Sequence, residues 1–296
     1  MALGSAAESG ILHTLYAAIT RDLKLHWAPL RKRPIEGIKR PDIAVRLGEI
    51  TRGNGRAAAK RARVSLSAMY SWAMGEGLCE VNPVVATNNP AEGAKPRERV
   101  LSDDELRVVW RACADDDFGR AVRLLILTGC RRDEIGGLRW DEIDFDSGVL
   151  TIPGTRTKNH RELKLPLPQA ALAILSSRAE GGREHIFGPR QGFRAWSYYT
   201  AILNGRVAEM EGRRLPPWRL HDLRRTLRTG LGRLKVAPHI AELVLNHVKT
   251  GMTAVYDKYN YQGEIAAALA LWADHVMAAV DGRATNIIPL ASEKAR

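Results

Sequence analysis

Between Trp218 and Tyr261 the chain reads WRLHDLRRTLRTGLGRLKVAPHIAELVLNHVKTGMTAVYDKYNY. His221 and Arg224 stand three residues apart, which places them on one face of a helix. A second amphipathic helix is expected from Ala237-Pro238 to near Asn246-His247, and Tyr256 follows nine residues after His247. Two histidines, an arginine and a tyrosine can therefore meet in one cavity. A guanidinium is a rigid fork of donors suited to a phosphate. An imidazole can donate a hydrogen bond or move a proton near neutral pH. A tyrosine can serve as a nucleophile once it is activated. The plainer alternative is a packed helical subdomain with surface tyrosines and a structural His-Arg pair.

Upstream, two more cations sit in distinctive places. Arg131 follows the turn Thr128-Gly129-Cys130 and opens a short helix, and Glu134, one turn on, can brace a basic neighbour. A surface salt bridge is the simpler account of that arginine. Lys158 lies in the turn Gly154–Asn159, just before an expected strand. Most turn lysines are solvated, but one on a β-turn can reach into a groove.

The elements that must hold these residues are mostly helices. Apolar spacing predicts helices over residues 11–30, 41–47, 56–74, 102–113, 118–127, 169–178, 193–210 and 264–280. Ser102-Asp103-Asp104-Glu105 is a capping box, flanked by Leu101 and Leu106 in staple positions. Three short segments, 143–145, 149–152 and 161–165, carry alternating or β-branched residues with turns between them. The expected fold class is mainly α with a small antiparallel β-sheet. Residues 82–99 hold three prolines, three asparagines and no periodicity, as a linker would. The expected organisation is a helical domain over 1–81, a linker over 82–99, a second domain over 100–280 and a tail over 281–296. That tail contains the apolar pentad Asn286–Leu290.

The 296 residues carry a net charge of +12, with a pI of about 9.9. Residues 1–97 hold 15 Lys and Arg against 8 Asp and Glu. Such a surplus points to a polyanionic partner, most simply nucleic acid. In the helix expected from Arg56, the cations Arg56, Lys60 and Arg63 share a face. Positive charge in a first turn opposes the helix dipole, so phosphate contact is the expected role of these three. Two basic domains joined by a linker would clamp a duplex. Cys79, Cys113 and Cys130 have no paired spacing, which suits a reducing cytoplasm. The chain has no run of 18 or more apolar residues and no signal-peptide pattern, so no membrane association is expected. Neither CxxC nor HExxH occurs, and no metal site is expected.

Taken in order, T-G-C-R-R-D-E-I, T-K-N-H-R, W-R-L-H-D-L-R-R-T, L-N-H and V-Y resemble the motifs of the tyrosine recombinases, the phage-type integrases and their relatives. The resemblance is strongest from Leu101 to Asp274. It implies a helical core-binding domain followed by a catalytic domain that cleaves and rejoins DNA through a 3′-phosphotyrosyl bond. It also implies roles by position. Arg131 and Arg224 grip the phosphate, Lys158 protonates the leaving 5′ oxygen, and His221 assists proton movement at Tyr256. His247 donates to the phosphate, Tyr256 is the nucleophile and Glu134 is a supporting acid. No ATP, metal or other cofactor is implied. The implied partners are double-stranded DNA attachment sites, a homo-tetramer on paired sites and accessory DNA-bending proteins. Asn246 stands where glycine is common in the family. By this resemblance the chain is expected to begin after the arm-binding domain that many phage integrases carry. A silent DNA-binding relic and a type IB topoisomerase-like enzyme are the alternatives. A metal-dependent nuclease would need clustered carboxylates among the basic residues.

Overall fold

The computed structural model describes residues 19–93, 95, 97–176, 182–247 and 259–283. The chain divides into two compact units, residues 1–97 and 98–296.

The first unit is helical. Residues 19–26 form α1, Arg40–Asn54 α2 and Arg56–Gly75 α3. The α2 helix runs past the expected stop at Leu47, because Ile43, Leu47 and Ile50 continue one buried stripe. It breaks at Gly55, where φ reaches +84°. The core joins Trp27, Ile43, Leu47, Ile50, Leu66, Tyr70 and Val84. Polar tips inside this core are satisfied: Trp27 Nε1 donates to Ala62 O at 3.0 Å and Tyr70 Oη to Ile35 O at 3.0 Å.

Much of the expected linker belongs to this unit. Val84 is buried in the core, and Asn82 Nδ2 donates to Ser67 O at 3.1 Å. The irregular carbonyls of this stretch need donors, and two arginines of α3 supply them. Arg63 Nη2 donates to Val84 O, Val85 O and Thr87 O at 3.2, 3.1 and 3.0 Å. Arg56 donates from Nε to Pro90 O at 2.7 Å and from Nη2 to Glu92 O at 3.0 Å. Proline and asparagine content thus marks an irregular path here, but the path is a packed one.

The second unit packs helices around a small sheet. Asp103–Ala112 is α4, Asp117–Thr128 α5 and Arg132–Gly136 α6. The strands β1 (Ile143–Asp144), β2 (Val149–Ile152) and β3 (Leu163–Pro166) pair antiparallel in that order. Leu150 lies opposite Ile143 and Leu165, so one face of the sheet is apolar. There follow α7 (Gln169–Ser176), α8 (Trp196–Glu211), α9 (Leu220–Arg233), α10 (Pro238–Val244) and α11 (Gln262–Asp281). The α8 helix starts three residues later than its pattern suggests, because Phe193 N donates to Gly136 O at 2.7 Å instead of joining the helix.

Local signals hold at the entrance to this unit. Ser102 accepts from Glu105 N at 3.2 Å, Glu105 accepts from Ser102 N at 2.9 Å, and both Leu101 and Leu106 are buried. Leu101 N also donates to Thr226 Oγ1 of α9 at 2.9 Å. By length and composition α11 could cross a membrane, and half of it is buried inside the protein. Its Leu269, Trp272 and Val276 lie in the core, and Trp272 Nε1 donates to Ile126 O at 2.8 Å.

Candidate active site

Arg224 is the centre of the arrangement. It sits on α9 with 6% of its surface exposed. A buried cation is costly unless it is hydrogen-bonded. Here Nη1 donates to Gly129 O at 2.7 Å, and Nη2 donates to Leu245 O. Gly129 caps the C-terminus of α5 and Leu245 that of α10. These are helix-end carbonyls with no partner inside their own helices, where the dipole favours positive charge. One guanidinium therefore joins the ends of two helices to a third. Gly129 has φ +64°, and a Cβ there would lie 3.1 Å from the side chains of Leu227 and Leu245. Glycine is what lets the turn close over α9.

That same turn delivers Arg131. Glu134, almost fully buried, accepts from Arg131 N at 2.6 Å and from Arg131 Nη1 at 2.8 Å. The α6 helix bearing Glu134 is buttressed by Arg156, which donates to Glu134 O at 3.0 Å and grips both Glu142 oxygens at 2.7 and 2.6 Å. Burial, and next the charge of Arg131, lowers the Arg224 guanidinium to about 10. Two cations held together against their mutual repulsion make a place for an anion.

The histidines flank this pair, and both are exposed. His221 is on the first turn of α9 and faces solvent. Partial burial, and then the charges of Arg225, Arg224 and Arg131, push its imidazole below the ordinary 6.5, with Asp222 opposing them. The shift favours the neutral imidazole, which can accept a proton. Asp222, fully buried, accepts from Arg219 N at 2.8 Å and pairs with Arg225, which fixes the start of the helix.

His247 lies just past α10. Arg224 Nη2 is 3.1 Å from His247 Nε2, and His247 Nδ1 contacts Glu242 Oε2. A guanidinium only donates, so Nε2 accepts and the proton sits on Nδ1, facing the carboxylate. Burial alone would raise the Glu242 carboxyl. Hydrogen bonds from His247 and Arg228, with the charge of Arg228, outweigh it and hold the carboxyl below its ordinary value. Asn246, ahead of His247, has φ +51°. This left-handed position suits glycine, and asparagine is among the few other residues that accept it.

Of the residues singled out by sequence, Arg131, His221, Arg224 and His247 come together, with Glu134 beneath Arg131. Lys158 is exposed in the turn before β3. Its neighbour Asn159 joins that turn to the His247 turn, donating from Nδ2 to Asn246 O at 2.7 Å. Tyr256 lies outside the described residues, as does Asn286–Leu290. Arg56 and Arg63 each give donors to main-chain carbonyls of residues 84–92, and Arg56 and Lys60 are exposed. Sequence reasoning missed Glu242, Asn159 and Arg156. The sole signal for Glu242 was a carboxylate one helical turn and a residue before a histidine, and the other two had none.

These features have known counterparts. The phage integrase family model matches residues 101–262. The chain belongs to that family. It is 29% identical to the prophage integrase IntA of Escherichia coli over 225 residues, 71% of this chain and 52% of that protein. It is 25% identical to the tyrosine recombinase XerC of Xylella fastidiosa over 224 residues, 72% of this chain and 74% of that protein. The chain thus spans about half the length of IntA. In fold it is similar to a lambda integrase tetramer bound to a Holliday junction, with a TM-score of 0.63 at 22% identity, covering 83% of this chain and 74% of that one. A lambda integrase dimer bound to a core site gives a TM-score of 0.60, also at 22% identity, covering 83% and 92%.

Proposed function

We propose that this chain is a site-specific DNA recombinase that breaks and rejoins strands through Tyr256. The observation that carries the proposal is the cradle formed by Arg131 and Arg224, two guanidinium groups forced together with His221 and His247 beside them. A phosphodiester supplies the missing anion. In cleavage the Tyr256 Oη–P bond forms and the P–O5′ bond breaks. The electron pair leaves on O5′, which takes a proton from Lys158 Nζ, while the tyrosyl proton passes toward His221. Preorganised donors of this kind stabilise the transition state by about 3–4 kcal/mol each. The phosphotyrosyl product keeps the energy of the broken bond, so a second strand's 5′ hydroxyl can reverse the step.

Its partners in this reading are duplex attachment sites, bound by a homo-tetramer on paired DNA with accessory DNA-bending proteins. The similar lambda integrase assemblies, a dimer on a core site and a tetramer on a Holliday junction, support the DNA and the tetramer. The cytoplasm is the compartment in which the chain would meet its DNA. On α3, backbone contact is assigned to Arg56, Lys60 and Arg63, of which Arg56 and Lys60 are exposed. The deciding experiment is incubation with attachment-site DNA followed by a denaturing gel. A covalent protein–DNA adduct is expected, and a protein that binds the site yet never forms one is not a recombinase.

A further inference from the structure

The turn that carries Lys158 has a rigid frame. Thr157 is fully buried, and its hydroxyl donates to Arg161 O at 2.6 Å. His160 N donates to Thr157 O at 3.3 Å, and His160 has φ +55°. Lys158 itself is exposed and makes no hydrogen bond or ion pair among the described residues. Among the described residues, nothing in its own contacts aims its ammonium. The placement of the turn as a whole must do so.

That placement passes through one side chain. Asn159 Oδ1 faces Arg161 N at 3.4 Å, which turns its amide nitrogen outward, and Nδ2 donates to Asn246 O at 2.7 Å across 87 residues of sequence. The accepting carbonyl belongs to a well-anchored turn. Asn246 N donates to Leu243 O at 2.9 Å, and His247 N donates to Glu242 O at 3.0 Å. Arg224 holds the preceding carbonyl, that of Leu245. Asn159 therefore ties the lysine turn to the peptide between Arg224's acceptor and His247. Among the described residues it is the one hydrogen bond between these two turns.

We propose that Asn159 is a positioning residue for Lys158, registering the proton donor against the arginine–histidine cradle. The proposal rests on the reading of Lys158 as the acid that protonates O5′. Misplacing a reacting group by about 1 Å can lower a rate by about a hundredfold. Loss of this tether should therefore slow cleavage without removing any group that touches DNA.

The test compares Asn159→Ala, Asn159→Asp and Lys158→Ala on two nicked duplexes carrying the attachment-site sequence. One has an ordinary scissile phosphate; the other has sulfur in place of the bridging 5′ oxygen. A thiolate leaves without an acid, so the sulfur duplex bypasses Lys158. Asn159→Asp keeps the size of the side chain and removes the donor, which covers the case in which Asn159→Ala folds poorly. Single-turnover adduct formation by both Asn159 variants is expected to fall about tenfold or more on ordinary DNA. On the sulfur duplex it is expected to return to within about twofold of the parent protein, as for Lys158→Ala. Equal slowing on both duplexes overturns the proposal and assigns Asn159 to the cradle or the fold. Unchanged rates on both show the tether to be dispensable and also overturn it. If sulfur rescues neither Lys158→Ala nor the Asn159 variants, the acid reading of Lys158 falls, and the proposal falls with it. A parent protein that forms no adduct on either duplex instead overturns the recombinase function itself.

Discussion

At the scale of single residues, the site divides its labour by depth. Arg224 faces inward as much as outward, since two helix-end carbonyls and one imidazole take its donors. His221, three residues earlier, meets solvent. Its imidazole is pushed below the ordinary 6.5 by partial burial and neighbouring guanidinium groups. The sign follows directly. The neutral form persists above a value lower than 6.5, and protonation removes the acceptor as pH falls through it. Adduct formation limited by His221 should thus decline as the solution is made acid, at a lower pH than an ordinary imidazole would set. In His221→Gln that decline should vanish along with most of the rate, in a single-turnover pH series.

The nucleophile is the other prediction at this scale. Tyr256 lies nine residues after His247, whereas Tyr259 is exposed and its ring packs 4.7 Å from that of Tyr261. Tyr256→Phe should bind attachment-site DNA as the parent does and form no adduct. Tyr259→Phe should still form one. Peptide mapping that found the nucleotide on Tyr259 would move the assignment.

Among elements, the helices are locked at their ends. Asp103, at the start of α4, accepts from His275 Nε2 of α11 at 3.1 Å and pairs with Arg233 at the end of α9 at 3.2 Å. The hydrogen bond from His275, opposed by burial and reinforced by Arg233, lowers the Asp103 carboxyl from 3.8 to about 2. A lowered carboxyl stabilises the fold above its unfolded value and loses that contribution as pH falls from about 4 to about 2. The shift corresponds to about 2 kcal/mol. Asp103→Asn should therefore unfold at lower urea than the parent at pH 7, and the two should converge toward pH 2. A gap that stays constant with pH would remove the carboxylate as its source. Nearby, α9 and α11 meet at Gly230, where an added Cβ would fall 2.1 Å from the Trp272 ring. Gly230→Ala should lower stability by about 1–3 kcal/mol through overpacking, as read from urea or thermal melts.

How legible these elements were depended on sequence distance. The Ser102–Glu105 box and its leucine staple are written within six residues, and both appear in the structure. The sheet's turns were equally local. The motif residues Arg131, His221, Arg224 and His247 could be picked out because type, order and context are all present in the chain. Partnerships across long separations were not visible. Arg63 finds its acceptors 21 to 24 residues away, so three cations on one face gave no sign that two of them also tie down main-chain carbonyls. The Asn159–Asn246 bond and the Arg228–Glu242–His247 chain likewise exist only after α10 has folded onto α9.

For the whole molecule, charge dominates. A net +12 spread over two compact units gives a protein that should bind duplex DNA largely by displacing counterions. Its affinity is expected to drop by on the order of a thousandfold or more between 50 and 200 mM salt, if six or more phosphates are neutralised. Titrations at several ionic strengths check this; a flat response would mean that the basic surplus does not face DNA. The junction between the units has its own mechanical logic. The first buried residue beyond it, Leu101, is bonded through its amide to Thr226, two residues from Arg224 on the same helix. The entry of the second unit is thus pinned to α9, the beam that carries Arg224, so the peptide that opens this unit and the arginine at its centre share one support.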